Sequence, residues 1–310
     1  MAFNVTSNFA GKEAGFYISA ALKEARSLDY LTQLNNVRYK SNIQSVAGAT
    51  LLRDATCDFT DHGTLTMTEK VLEVKPLQIN IDLCKQNLVS SWESLQMSGP
   101  GANPPASFED YVISYMGGTI AEGVENSIWS GVTATNGEFT GFLGAAVGYL
   151  LPGVDATVVQ SSASGAYTAT NIIANLQTLT ADMAANVSAI LTKEDLHIYM
   201  NPKTYAFYVS AVSTLGYVNA YNINGDYEPV FEGYKIAVCP SLPDNQMVAA
   251  TKSNLYWGTD LVSDFGTVGT GPRIALMDMS ALDGSDNIRV VCKFSGGVQT
   301  GVGADIVRQS

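Results

Sequence analysis

The sequence predicts an α+β fold, and three observations carry that prediction. The stretch from Leu196 to Leu261 strings together strand, capped helix, strand, turn, strand and strand. Apolar side chains recur at helical spacing over 107–130 and 170–187. Strict alternation at Leu65, Met67 and Val71, and again at Leu77, Ile79, Ile81 and Leu83, marks extended chain, as does the β-rich segment after Arg273.

Residues 1–34 begin polar. Phe16, Ala20, Leu28, Leu31 and Leu34 then suggest an arm followed by a helix. Over 35–83, strand-like Val37–Lys40 and Ile43–Val46 precede a polar loop, Arg53 to Gly63, and the alternating run follows it. Two extended arms about a polar middle make a long hairpin. An isolated two-stranded ribbon is marginal in water, so this one needs a domain or a neighbouring subunit to lie on. Residues 98–106, rich in Gly and Pro, break the chain. Ser107 with Asp110 three residues on then forms a capping box. The helix it opens runs to Ser130 with Ile113, Met116, Ile120, Val124 and Ile128 on one stripe, and Gly131 ends it.

Residues 139–170 read as loops with short strands, and Thr170 as the cap of a helix carrying Ile172, Leu176, Leu179, Met183 and Val187. Strand Leu196–Met200 stops at Asn201-Pro202, where Asn can cap and Pro can take the first helical turn without losing a hydrogen bond. Phe231–Val238, Met247–Ala250 and Asn254–Leu261 continue as strands. Ile274–Met277, an acidic turn at 283–287 and Ile288–Phe294 complete the chain, with an end near Gly296-Gly297.

Composition narrows the function. At 310 residues the chain has room for about two domains. It is 46% hydrophobic with 15% charged residues, as expected of one large core or of a surface covered by partners. Its longest apolar run, Phe142–Leu151, falls short of the roughly 20 residues needed to span a bilayer. The N-terminus lacks the pattern of a signal peptide. Cys57, Cys84, Cys239 and Cys292 lie far apart with only two histidines, which argues against zinc and for separate reduced thiols. Net charge is −12, and no Lys or Arg occurs between Lys85 and Lys193. Nucleic-acid readers cluster cations; this chain does the opposite.

No catalytic constellation emerges, so no catalytic residue, cofactor or metal is expected. The acidic turn Asp283-Gly284-Ser285-Asp286-Asn287 has oxygens at alternate positions but no closing Glu for calcium. Gly266–Gly271 lies between β segments rather than before a helix. Asp61-His62 sits on a loop tip, and no Gly-x-Ser-x-Gly elbow occurs.

Three pieces, in order and spacing, carry a family resemblance: Met200-Asn201-Pro202; Gly233–Val238 through Leu242-Pro243-Asp244; and Asn254–Asp260. With arm, hairpin and capped helix before them, the chain resembles over nearly its full length the major capsid proteins of tailed bacteriophages, the Hong-Kong-ninety-seven-type shell fold. The resemblance implies an N-terminal arm and helix at 1–34 and an extended β-hairpin loop at 35–83. It implies a peripheral domain with a long spine helix at 84–138 and 270–300, and an axial α/β domain at 139–269 and 301–310. It also implies self-assembly into pentamers and hexamers of an icosahedral virion shell, formed in the bacterial host cytoplasm around double-stranded DNA held by non-specific enclosure. Further partners would be a portal and scaffold or decoration proteins, with no membrane. A nanocompartment shell of the encapsulin type, enclosing enzyme cargo, has the same fold and is the alternative.

In the family the extended loop lies across the neighbouring subunit, so Arg53, Asp54, Asp58, Phe59 and Asp61 are candidate inter-subunit contacts. The spine helix lies toward the interior, which makes Glu109, Asp110, Glu122 and Glu125 candidate lumen-facing acids that repel packaged DNA. The same acids equally suit the solvated face of an amphipathic helix, some of them near its positive N-terminal end. Some relatives cross-link covalently through a loop Lys, but Ser41–Glu69 contains none. Non-covalent assembly is expected.

Overall fold

The structure, a computed structural model, describes residues 25–49, 52–55, 57, 62–84, 106–214, 229–259, 275–279, 282, 284–285 and 287–310; of residues 49, 106–116, 275–278 and 292 it describes the backbone alone. The chain enters through a 3-10 turn, Arg26–Tyr30, and strand β1, Thr32–Leu34. The helical spacing of Leu28, Leu31 and Leu34 is therefore not a helix here. β1 instead finds a parallel partner in β10, Leu255–Thr259, with Thr32 opposite Tyr256 and Leu34 opposite Gly258. Non-local sheet hydrogen bonds override a weak local propensity.

β2, Lys40–Ala49, and β3, Thr64–Glu73, form an antiparallel hairpin from Lys40 opposite Glu73 to Ala49 opposite Thr64. The expected hairpin is longer than the observed one. After buried Val74, strand β4, Lys75–Cys84, leaves it and pairs with β12, Asn287–Thr300. The physical reason is burial: Ile79, Ile81 and Leu83 pack with Ile288 and Val290, which a bare ribbon cannot offer.

Helix α1 spans Ala106–Ser130 and α2 spans Ile172–Asn186. The cap position of α2 is Asn171 rather than Thr170, and no side chain caps it; the Thr170 hydroxyl instead pairs with that of Thr168 at 2.9 Å. Strand β5, Val159–Ser161, lies before α2 and β6, Leu196–Met200, after it. Helix α3, Pro202–Thr214, is capped as its sequence suggests: the Thr204 N–H donates to Asn201 Oδ1 at 2.7 Å. Strands β7, Val230–Phe231, β8, Tyr234–Val238, β9, Met247–Thr251, β11, Ala275–Asp278, and β13, Val307–Gln309, complete the order.

Two main sheets result. One has six strands in the order β5-β13-β9-β6-β8-β7; the other has five, β1-β10-β12-β11 with β4 also on β12. β10 lies in the second sheet and not beside β6–β9. Asn254 accepts from the Val302 N–H and donates to the Val302 carbonyl, turning the chain so that β10 joins β12 in the second sheet. β12 does not end at Gly296-Gly297 but runs through to Thr300. A Cβ at Gly296 would meet the Trp257 ring and one at Gly297 the Glu73 backbone, so these glycines serve close packing rather than termination.

Two large apolar clusters hold the body. Ile172, Leu176, Leu179 and Met183 of α2 pack with Ile198, Met247 and Val307 of the six-stranded sheet. Trp129, Phe142, Tyr199, Leu150 and Ile306 form the other, which also takes in Trp257 and Val298 of the second sheet. That shared cluster fixes the two sheets to each other and to the C-terminal half of α1. No helix among the described residues is long and apolar enough to cross a membrane.

Candidate functional site

Period-two geometry sorts the hairpin side chains into two faces. Thr64, Thr66, Thr68, Lys70 and Leu72 share one face with Ala47, Ser45, Ile43 and Ser41 of the partner strand. At the root this face is tied down. Ile43 and Leu72 are buried with Val37 and Val74, and Lys70 Nζ donates to Asp155 Oδ2 at 2.6 Å and Thr300 Oγ1 at 3.0 Å. Toward the tip it is a hydroxyl surface, with the Ser45 and Thr68 hydroxyls bonded across the strands at 2.6 Å.

The opposite face carries Val46 across from Met67, with Leu65 and Val71 on either side. These side chains lie in the open: Val46 is 57% exposed, Leu65 63% and Met67 64%. Gln44 and Glu69 interrupt the row, and Asn42 donates across to Glu69 at 3.3 Å. Scattered exposed apolar residues are ordinary, but Val46, Leu65 and Met67 cluster on one face of the ribbon, as a contact surface would. Burying each such side chain is worth roughly 1.5–3 kcal/mol.

At the hairpin root lies a cleft of about 1000 Å³ lined by Arg38, Tyr39, Lys75, Leu77, Lys293 and Phe294, among others. Arg38 and Lys293 are exposed and make no ion pair with a described residue. Lys75 Nζ donates to the carbonyls of Thr133 and Glu138 at 2.9 and 2.7 Å. Among the described residues that line it there is no Asp or Glu.

The residues singled out in the sequence fare differently. Arg53 and Asp54 are described and exposed in the segment joining β2 to β3; Asp58, Phe59 and Asp61 lie outside the described residues. Glu109 and Asp110 fall within the backbone of α1, their side chains outside the description, and Glu122 is half-buried. Glu125 is 0% exposed. Its carboxylate accepts from the Ser27 N–H at 3.1 Å and the Ser27 hydroxyl at 2.5 Å, which draws the entering chain onto α1. The apolar face of the hairpin went unselected, although its alternation is visible in the sequence. A two-stranded ribbon has nothing beneath one of its faces, and that signal would have found it.

No family model matches the chain, and no curated protein matches its sequence. Solved structures match it over nearly its whole length. The capsid of an empty GTA particle aligns with a TM-score of 0.61 at 12% identity, over 99% of this chain and 94% of that one. The capsid of Myoviridae phage XM1 aligns at 0.57 and 12%, over 99% and 98%. The capsid of cyanophage P-SCSP1u aligns at 0.56 and 14%, over 97% and 92%. The chain has a phage capsid fold. Within that capsid fold the hairpin carries Val46, Leu65 and Met67 exposed on one face.

Proposed function

We propose that the chain is the major capsid protein of a tailed phage, assembling into pentamers and hexamers that enclose the double-stranded genome. The observation that carries this reading is the hairpin. It is roughly 30 Å of ribbon, tied down at its root among the described residues, with Val46, Leu65 and Met67 exposed on one face. Laid across a neighbouring subunit, that face gains the burial it lacks alone. The extended loop of this reading is centred on β2 and β3. The peripheral part is α1 with the five-stranded sheet, and the axial part is the six-stranded sheet with α2 and α3. Glu109, Asp110 and Glu122 face the lumen and discourage DNA from adhering to the wall. The function is self-association, assisted by a portal and by scaffold or decoration proteins, in the cytoplasm of the host.

Negative-stain microscopy with analytical ultracentrifugation of the purified protein tests it. Closed shells or rings of five and six are expected, and their nucleic-acid content separates a genome shell from an enzyme-carrying compartment. A chain that stays monomeric across salt and scaffold conditions overturns the proposal.

A further inference from the structure

We infer that His197 is an acid-sensitive latch: neutral, it holds the entering segment at Asp29–Thr32 against β6, and protonated it loosens that hold. The latch belongs to the single subunit and does not depend on the shell reading.

A few contacts around this one histidine seat the segment. The Tyr199 hydroxyl donates to the Tyr30 carbonyl at 2.9 Å, and Lys252 Nζ donates to the Asp29 carbonyl at 2.7 Å. The Thr32 hydroxyl donates to the Lys252 carbonyl at 2.9 Å. Among these bonds the Tyr30 ring packs on the His197 ring, centroids 5.4 Å apart, and meets Tyr199 edge-on at 6.5 Å. His197 and Tyr199 lie two residues apart on β6, so they share the face of the sheet that Tyr30 covers.

Position sets the protonation chemistry. His197 Nδ1 lies 2.8 Å from the Asp195 carbonyl, which can only accept, so Nδ1 carries the proton and Nε2 the lone pair. A second proton goes to Nε2, for which no described residue supplies an acceptor. The new charge meets cations from two elements. Lys235 sits directly opposite on β8, and Lys252 comes from the turn before β10. β9 presents only Ala250 opposite His197, and the segment brings the uncharged Tyr30, its own Asp29 being exposed. Asp195 favours the charge, but its carboxylate is already engaged by the Ser253 N–H at 3.1 Å. Burial above all, with the two ammonium groups, holds the imidazole below its usual range against Asp195. When the segment lifts, the ring regains water and takes a proton more readily, so acid favours the lifted form. A histidine with a depressed folded pKa adds stability above about pH 6.5 and loses it as pH falls through the folded value.

Hydrogen exchange of the unassembled subunit tests the latch, each rate taken relative to an unstructured peptide at the same pH. From about pH 7.5 to about pH 5.5 the protection of residues 28–34 is expected to fall about threefold or more, while that of β9 stays level. His197→Phe keeps a ring against Tyr30 but cannot take a proton, and it is expected to abolish the fall whatever its own stability. His62→Gln removes the other histidine of the chain and is expected to leave the fall in place. Protection that is flat in the parent protein overturns the inference, as does a fall that survives His197→Phe. A fall shared equally by β9 also overturns it, since the proton would then be linked to unfolding of the whole subunit. None of these results touches the shell reading, which particle formation tests.

Discussion

A carboxylate taken out of water costs several kcal/mol unless hydrogen bonds replace the lost hydration, and Glu125 receives two from a single residue. The Ser27 N–H and hydroxyl both donate to it, and the same hydroxyl accepts from Trp129 Nε1 at 2.6 Å. Four residues apart on α1, Glu125 and Trp129 thereby grip one turn of the entering chain. Tyr199 adds a third point, its hydroxyl donating to the Tyr30 carbonyl at 2.9 Å. Glu125→Ala leaves the Ser27 N–H without this acceptor in a dry site, and a loss of about 2–4 kcal/mol is expected. Ser27→Ala strips Trp129 of its acceptor and Glu125 of a donor at a comparable cost. Because the three groups act as one unit, the double variant is expected to cost far less than the two losses added together. Urea unfolding of the unassembled subunit measures this cycle, and strictly additive losses would show that the grip is not a unit.

At the scale of elements, the hairpin is only as well placed as its root. Burial at the root pushes the Asp155 carboxyl up. The Lys70 ammonium and the Thr157 hydroxyl and N–H outweigh burial and hold it below the usual carboxylate range. A carboxylate with a depressed pKa in the fold adds stability above its unfolded value of about 3.9 and loses it as pH falls through the folded value. The anchor is therefore whole at neutral pH and fades below about pH 4. Lys70→Met is expected to cost about 1 kcal/mol at pH 7, the pair being partly exposed to solvent, and to lose less than the parent protein between pH 5 and pH 3. Paired urea titrations across that range check it, and parallel pH curves would remove the ion pair from the account. The elements themselves were unevenly legible in the sequence. Asn201-Pro202 announces α3 because a cap and a first-turn proline are local chemistry. The alternation at Leu77–Leu83 announces a strand but not its partner, since a period of two identifies a face and says nothing about which strand lies alongside. β1 was hidden for the same reason: three residues became a strand because β10 was there to receive them. In the sequence the loop residues Arg53, Asp54, Asp58, Phe59 and Asp61 stand out as contacts by resemblance, whereas Val46 and Met67 read as ordinary strand apolars. The fold adds how exposed they are, at 57% and 64%.

At the scale of the whole molecule, the question is what holds many copies together. Covalent cross-linking of the kind some capsid relatives use needs a free amine on the extended loop. Between Ser41 and Glu69 there is no lysine. The two that flank this stretch are occupied at the root, Lys40 with Glu73 at 3.1 Å and Lys70 with Asp155 at 2.6 Å. Both sit at the root end of a ribbon roughly 30 Å long, away from its tip. On the proposed shell reading, cohesion then rests on non-covalent contacts repeated from subunit to subunit, individually modest and together strong. Mature particles boiled in detergent are expected to run as one band at the subunit mass, with no ladder of rings or chains. Denaturant is expected to dissociate them to unfolded subunits without protease or reductant. A ladder that persists after boiling and reduction would mean that an amine elsewhere on the chain is joined to a neighbour, and cohesion would then have to be assigned to that bond instead of to the hairpin.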